Sequence, residues 1–371
     1  MKVVTVIGTR PELIKLSEVL KDLDRHVDHV IVHTGQNFDY ELNDIFWKDL
    51  ELRAPDYSLL TPEDTLAKRV AGMIVQLDEL FEKEKPDAML ILGDTNSCLA
   101  ATYTAKRRKI PIFHMEAGNR CFDQRVPEEL NRKVIDHLSD INIAHTEHSR
   151  RYLLADGIHP ARVMQTGSPT KEVIERHMHK IKASDVLKRL GLDKGGYFLV
   201  SVHREENVDS EENFRDLFDT LGALSDAYKK PVIVSTHPRT RKKMQAMGID
   251  DKLGLVRFLK PFGFIDYVSL QMNAYCVISD SGTVTEDSSI LDVPAVTIRQ
   301  AHERPEGMDE GVLIMCGLKA QRVLQAIETV TSQHVAGQRQ FRIVPDYNVE
   351  NVSKKITRII LSYVDYVNRT V

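Results

Sequence analysis

Short runs of β-branched and aliphatic residues alternate along the chain with segments of helical length. In the first half these runs are KVVTVI (2–7), HVIVH (29–33), AMLIL (88–92), PIFHM (111–115) and INIA (141–144). Between the second and third, Leu66, Val70, Met73, Ile74, Leu77 and Phe81 recur at three- and four-residue spacing, which predicts a helix with one apolar stripe. The second half repeats the rhythm with YFLVSV (197–202), PVIVST (231–236), LVRF (255–258), YCVIS (275–279) and PAVTI (294–298). Short apolar strands bounded by turns, with helices between them, describe parallel sheets covered on both faces. Between the two sets, a Gly-Ser-Pro turn, a charged helical stretch and closing glycines (166–196) suit a connector. The expectation is two doubly wound, Rossmann-like α/β domains, residues 1–167 and 168–371, facing each other across a ligand cleft. The final stretch places Val352, Ile356, Ile359, Ile360 and Tyr363 on one helical stripe, a helix able to pack back on the first domain.

Composition adds limits on partners. A chain of 371 residues exceeds what one hydrophobic core usually supports, in keeping with two domains. Hydrophobic residues at 42% and charged residues at 28% are the proportions of a soluble globular protein. A net charge of -4 gives no reason to expect nucleic acid or a membrane surface as partner, so any anionic ligand must be met by a local cluster of donors. Cys98, Cys121, Cys276 and Cys316 stand far apart with no CxxC pair, which argues against a zinc ribbon or disulfide framework and fits a reducing cytosol. Arg10 and Glu12 come before any signal-peptide core could form, and no run approaches the ~18 apolar residues of a membrane helix. A cytoplasmic protein is expected.

Ligands of open parallel sheets bind beyond the carboxyl ends of the strands, and polar residues gather there. GTRPELIK follows the first strand, with Arg10 as a forked donor and Lys15 further into the helix. GDTNS puts Asp94 at the end of the third strand, where a helix cap is an equally good reading. EAGNRCFDQRVPEELNR (116–132) follows the fourth, with Glu116 at its mouth, Arg120 and Arg125 within, and Glu128 and Glu129 after Pro127, where a helix should begin and where acids also suit the dipole. In the second half, His203 and Arg204 follow one strand, His237 and Arg239 the next, and Ser281, Gly282 and Thr283 open a helix after YCVIS. Small residues at a helix start let backbone N–H groups approach a phosphate. Glu286 offers an acceptor for a ribose diol, and Arg299 and Arg304 suit bidentate phosphate contact. Each alone reads equally as a solvated loop; together they form a plausible nucleotide-diphosphate pocket. No GxGxxG follows a strand, and GxxxxGK[ST], GxSxG and HExxH are missing. The acids have no tight metal-ligand spacing, so no metal is expected.

Taken in order, GTRPE, GDT, EAG…R…PEELNR, TG, HRE, SDSG…ED and ERPEG resemble the non-hydrolysing UDP-N-acetylglucosamine 2-epimerases, over nearly the whole chain to about residue 325. The resemblance implies the two-domain GT-B fold, a UDP-activated 2-acetamido sugar as substrate, no cofactor and a homodimer. HTGQNFDYELN, LGDTNSCLA, FHMEAGNRCFDQRVPEELNR, VSVHREENVD and STHPRTR look most like the branch that makes UDP-N-acetyl-L-fucosamine from UDP-2-acetamido-2,6-dideoxy-L-talose for capsule or O-antigen synthesis. Asn119 stands where the family's plain UDP-GlcNAc enzymes carry Leu, in a loop about two residues shorter. Gln36 is followed by Asn37 and Asp39 rather than by the residues of relatives with an allosteric UDP-GlcNAc site.

Family chemistry inverts C2 by eliminating UDP across C1–C2 to a 2-acetamidoglycal and re-adding it with a proton from the other face. Carried over by motif, Asp94, Glu116 and Glu128 are the acid/base candidates, with His203 near the developing charge. Arg10 and Lys15 favour departure of the pyrophosphate; Arg120, Arg204, His237, Ser281, Gly282, Thr283 and Arg304 bind substrate, with Glu286 on the ribose. Glu129 and Asp123 are expected to be structural and Cys121 a packed thiol. A UDP-GlcNAc 2-epimerase, a GT-B glycosyltransferase and a nucleotide-sugar sensor are the alternatives. Three carboxylates in the first domain favour epimerisation over glycosyl transfer.

Overall fold

Apolar runs without polar alternation suit sheets buried on both faces, and the chain forms two of them. The structure is a computed structural model that describes residues 1–35, 44–59, 65–204, 207, 209–236, 238–248 and 253–370, with the side chains of residues 44, 238 and 239 outside the description. The chain divides into two compact units, Met1–Arg176 with Pro345–Val371, and His177–Val344.

The first unit contains β1 (Lys2–Ile7), α1 (Arg10–His26), β2 (Asp28–His33), α2 (Asp44–Asp49), β3 (Tyr57–Ser58), α3 (Leu66–Glu84), β4 (Ala88–Leu92), α4 (Asn96–Arg107), β5 (Ile112–Met115), α5 (Pro127–Leu138), β6 (Ile141–Ala144), α6 (Glu147–Ala155) and β7 (Val163–Gln165). Its strands pair in parallel in the order β3-β2-β1-β4-β5-β6-β7. Val4, Val6, Met89 and Ile91 of the sheet pack with Met73, Leu77 and Phe81 of α3. The predicted stripe on α3 is thus the core-facing one, except at Leu66, its first residue, which is 53% exposed.

α7 (Thr170–Ala183) runs without a break across the change of unit. The second unit then continues with α8 (Val186–Leu190), β8 (Phe198–Val202), α9 (Glu211–Tyr228), β9 (Val232–Thr236), α10 (Pro238–Ala246), β10 (Val256–Leu259), α11 (Phe264–Asn273), β11 (Cys276–Ser279), α12 (Thr283–Leu291), β12 (Ala295–Thr297), α13 (Pro305–Asp309), β13 (Ile314–Met315) and α14 (Ala320–Ser332). Its parallel sheet has the order β10-β9-β8-β11-β12-β13, and its core joins Val200, Val234 and Ile278 to Leu221 and Leu224 of α9 and Val323 and Ile327 of α14.

At Pro345 the chain re-enters the first unit, where α15 (Val352–Asn368) packs against α1 and Thr357 Oγ1 donates to Asp22 at 2.6 Å. The expected division at 167/168 gives way to a contact boundary inside α7 and a discontinuous first unit. Among the described residues no helix is long and apolar enough to cross a membrane.

Candidate active site

Where strand order reverses in a doubly wound sheet, the flanking helices leave opposite faces and open a crevice beyond the carboxyl ends. That point lies between β1 and β4 in the first unit and between β8 and β11 in the second. Most of the polar residues singled out from the sequence sit at the ends of these strands or of their neighbours.

In the first unit β1 is followed by Gly8, where a Cβ would stand 2.4 Å from Ser97 Oγ of α4; only glycine lets this turn lie so close. Glu12, in the first turn of α1, accepts from the amides of Gly8 and Thr9. Burial pushes its carboxyl up to about 7, against the lowering effect of hydrogen bonds from Gly8, Thr95 and Thr9. Beyond β4, Thr95 rather than Asp94 caps α4, its side chain accepting from the Cys98 amide at 3.2 Å. Asp94 instead accepts from Arg132 Nε at 2.7 Å, while Asn131 Nδ2 donates to the Asp94 carbonyl at 2.9 Å.

Glu116 follows β5 in the left-handed region at φ 61°. Lys15 Nζ, 3% exposed, lies 2.6 Å from Glu116 Oε2, and Asn119 Nδ2 lies 3.0 Å from Oε1. His145, after β6, holds Nδ1 3.9 Å from the same Oε2. Glu128 is half-buried in the first turn of α5, the helix that supplies Asn131 and Arg132 to Asp94. Pro127 takes the opening position of that helix, as the sequence predicts. Arg10 reaches over the Phe46 ring at 5.7 Å.

The rest of the 116–132 loop serves the fold. Glu129 is buried and accepts from the amides of Cys121 and Phe122 and from Arg132 Nη1. Arg120, expected against substrate, lies inside the unit with Nη2 2.7 Å from both Asp136 and Asp156. Burial alone would lower its pKa, and the two carboxylates outweigh that and raise it. The physical reason for the placement is Asp136, fully buried and in need of a cation. Arg125 pairs on the surface with Asp123, whose carboxyl its hydrogen bonds hold down at about 2. Burial pushes the Cys121 thiol up, which disfavours the thiolate.

In the second unit Asp280, fully buried at the end of β11, organises the turn after β8. It accepts from the amides of His203 and Arg204 and from Asn207 Nδ2, and its Oδ1 lies 3.2 Å from His203 Nδ1. Burial would raise its pKa; His203 and the Arg204 amide outweigh this and lower it. The His203 side chain stays one-third exposed. Gly282 precedes α12, and the hydroxyls of Ser281 and Thr283 lie 3.0 Å apart at its start. Arg304 donates through Nε to the Gly282 carbonyl and places Nη2 3.0 Å from Glu286. Glu286 and Arg304 are thus paired with each other, both buried. Arg299 and Arg204 flank Glu303 on its two oxygens.

His237, Glu205, Gln36, Asn37 and Asp39, and the side chain of Arg239, lie outside the described residues. Sequence reasoning gave no role to Arg132, His145 or Asp280, and to Glu12 only that of an acid favouring the start of its helix. Arg132 stands four residues after Glu128, one helical turn along the same face, and Asp280 ends a strand; these were the available signals.

The family model described as UDP-N-acetylglucosamine 2-epimerase matches residues 21–361. A UDP-N-acetylglucosamine 2-epimerase structure from Rickettsia bellii is 54% identical, with a TM-score of 0.93 over 100% of this chain and 99% of that one. The UDP-GlcNAc 2-epimerase of Methanocaldococcus jannaschii, solved in complex with UDP-GlcNAc and UDP, is 31% identical with a TM-score of 0.91 over 98% and 100%. The UDP-2,3-diacetamido-2,3-dideoxy-D-glucuronate 2-epimerase of Pseudomonas aeruginosa is 31% identical over 89% of this chain and 92% of its own. Two parallel α/β sheets of the GT-B-like class are common to this chain and the solved epimerases.

Proposed function

From its place in the UDP-N-acetylglucosamine 2-epimerase family, to which the chain belongs, we propose that it inverts C2 of a UDP-2-acetamido sugar without hydrolysing it. The carrying observation is the meeting of Lys15, Glu116, Asn119 and His145 at one strand end, beside the turn that presents Asp94 on Arg132. No carbonyl acidifies the C2–H bond, so the reaction needs a departing group at C1. A carboxylate takes the C2 proton, the C1–O bond to the β-phosphate breaks, and the electron pair of the C–H bond becomes the C1=C2 bond of a 2-acetamidoglycal. UDP oxygen then returns to C1 as a carboxylic acid on the opposite face gives C2 its proton. Asp94, Glu116 and Glu128 supply the base and the acid.

Lys15 and Arg10 stabilise the charge that gathers on UDP. His203, oriented by Asp280, donates to the β-phosphate region. Ser281, Gly282 and Thr283 offer hydroxyls and backbone N–H groups to phosphate at the start of α12. Arg204 and His237 complete the phosphate donors. Arg304 and Glu286 serve phosphate and ribose by exchanging their mutual contact for the ligand. Arg120, committed to Asp136 and Asp156, has no part in this assignment.

The sugar we propose is the 6-deoxy one: UDP-2-acetamido-2,6-dideoxy-L-talose converted to UDP-N-acetyl-L-fucosamine, a capsule or O-antigen precursor. Support comes from the motif set of that branch and from Asn119, whose amide lies against Glu116. The second reading, UDP-GlcNAc to UDP-N-acetylmannosamine, is favoured by the relative at 54% identity. Proton NMR in deuterium oxide separates them. Loss of the H2 signal from UDP-N-acetyl-L-fucosamine supports the first, and exchange of UDP-GlcNAc alone replaces it with the second. Were neither sugar to exchange while UDP bound, epimerisation would be wrong.

We also propose a homodimer in which α3, α4 and α5 meet a second copy. Val75, Tyr103 and Val134 are exposed on these packed helices, and Leu130 is 71% exposed. Light scattering should give twice the chain mass, and Leu130→Asp should shift it toward the monomer.

A further inference from the structure

Glu116 has a donor against each carboxylate oxygen. Lys15 Nζ reaches Oε2 from α1 at 2.6 Å, and Asn119 Nδ2 reaches Oε1 at 3.0 Å. His145 after β6 also faces it, with Nδ1 3.9 Å from Oε2, and the Asp94–Arg132 pair lies beyond β4, the strand next to β5.

The amide of Asn119 has one consistent orientation. A carboxylate oxygen only accepts, so Nδ2 faces Glu116 and Oδ1 faces away. Oδ1 lies 3.1 Å from Ser149 Oγ, which must therefore donate to it. With its proton committed, Ser149 Oγ accepts from Thr146 Oγ1 at 3.1 Å. Thr146 is the N-cap of α6, and its Oγ1 in turn accepts from the Ser149 amide at 3.2 Å. A polarised chain thus runs from the first turn of α6 to Glu116. Thr146, Ser149 and Asn119 are all buried, so water does not readily replace a missing link.

Resting on the assignment of Glu116 as an acid/base group, we infer that Asn119 is a positioning residue: braced by Ser149, it holds Glu116 as an oriented carboxylate in the resting enzyme. A proton on Oε1 along this contact would meet the Asn119 N–H, and one on Oε2 toward α1 would meet the Lys15 ammonium. Neither group accepts. Proton uptake by Oε1 during turnover therefore goes with lengthening of the Asn119 contact, and Asn119 sets the acidity at which the base form is lost.

The experiment measures C2 exchange in deuterium oxide against pH for wild type, Asn119→Leu, Asn119→Asp and Ser149→Ala, using UDP-N-acetyl-L-fucosamine and UDP-GlcNAc. In the same proteins the Glu116 carboxyl is titrated by carbon-13 NMR, its signal assigned with Glu116→Gln. In Asn119→Leu the acid limb of kcat/KM and the carboxyl midpoint should both rise by about one pH unit. Asn119→Asp should raise them further, because a carboxylate then faces a carboxylate, and Ser149→Ala should raise them less. KM should change by less than about threefold in Asn119→Leu. A stationary Glu116 midpoint in Asn119→Leu, with UDP still bound, overturns the inference. A rise in Asn119→Leu with none in Ser149→Ala overturns the bracing. If wild type exchanged neither sugar while the midpoint moved as expected, the epimerase assignment would fall and the positioning of Glu116 would stand.

Discussion

At the scale of single residues, the first unit concentrates acids where burial and partners set their protonation differently. Glu12 is the clearest case, since its folded pKa near 7 exceeds the ordinary 4.5 because burial disfavours the charge. A raised folded value means that the native state holds the proton longer. The stabilisation from this group is complete below about pH 4.5 and is lost as pH rises through about 7, with a span on the order of 3 kcal/mol. Glu12→Gln keeps an acceptor for the Gly8 amide and removes the titration. Thermal unfolding between about pH 5 and 8 should therefore show a declining contribution in wild type that is missing in Glu12→Gln; parallel curves would refute the assignment. The proposed working acids call for a different measurement. Asp94→Asn and Glu116→Gln should each cut C2 exchange by roughly 10²–10⁴-fold, with UDP affinity by calorimetry changing little. Near-normal exchange in both would remove the acid/base role.

At the scale of elements, turns do the positioning. Gly118 has φ 82°, and a Cβ there would stand 2.3 Å from the Ser149 carbonyl, which belongs to the backbone and has nowhere to move. Gly118→Ala should cost on the order of 2–4 kcal/mol. It should also reduce C2 exchange, because the same turn presents Glu116 and Asn119. Thermal denaturation and the exchange assay test both parts; a variant with unchanged melting would mean that the turn relaxes freely. Much of the element pattern was legible in the sequence for a physical reason. Strands buried on both faces must be continuously apolar, so KVVTVI, AMLIL and INIA match β1, β4 and β6 residue for residue, and the remaining runs err by about a residue at their ends. The short strands β3, β7 and β13 were missed because two or three residues carry no period. The site was legible as strand-end acids, but not in its pairings. Asp94 reads equally as a cap until Thr95 is seen to take that role, and nothing local marks Arg120 as the partner of Asp136 and Asp156.

At the scale of the whole molecule, an apolar stripe tells that a helix is buried but not against what. Val352, Ile356, Ile359, Ile360 and Tyr363 are readable as one face of a helix able to pack back on the first domain, but the element that would receive that face is not. In the structure Val352, Ile356 and Ile360 of that stripe are buried in the first unit, Ile359 and Tyr363 are half-buried, and α15 packs on α1, so α15 closes the unit that carries Lys15 and Glu116. Lys15 lies on α1 itself, and α1 is therefore positioned from both sides, by β1 and by α15. A buried aliphatic side chain of this kind is worth about 2–5 kcal/mol when truncated to alanine, and an unpaired buried charge costs more. Against a domain stability of about 5–15 kcal/mol, Ile360→Asp should come close to unfolding the first unit. In scanning calorimetry the transition assigned to that unit should fall by more than about 10 °C. The UDP binding proposed for the second unit should survive, while C2 exchange is lost along with the seat of Lys15. If instead the transition stabilised by UDP collapsed and the other stayed, α15 would belong energetically to the second unit, and the discontinuous first unit would be wrong.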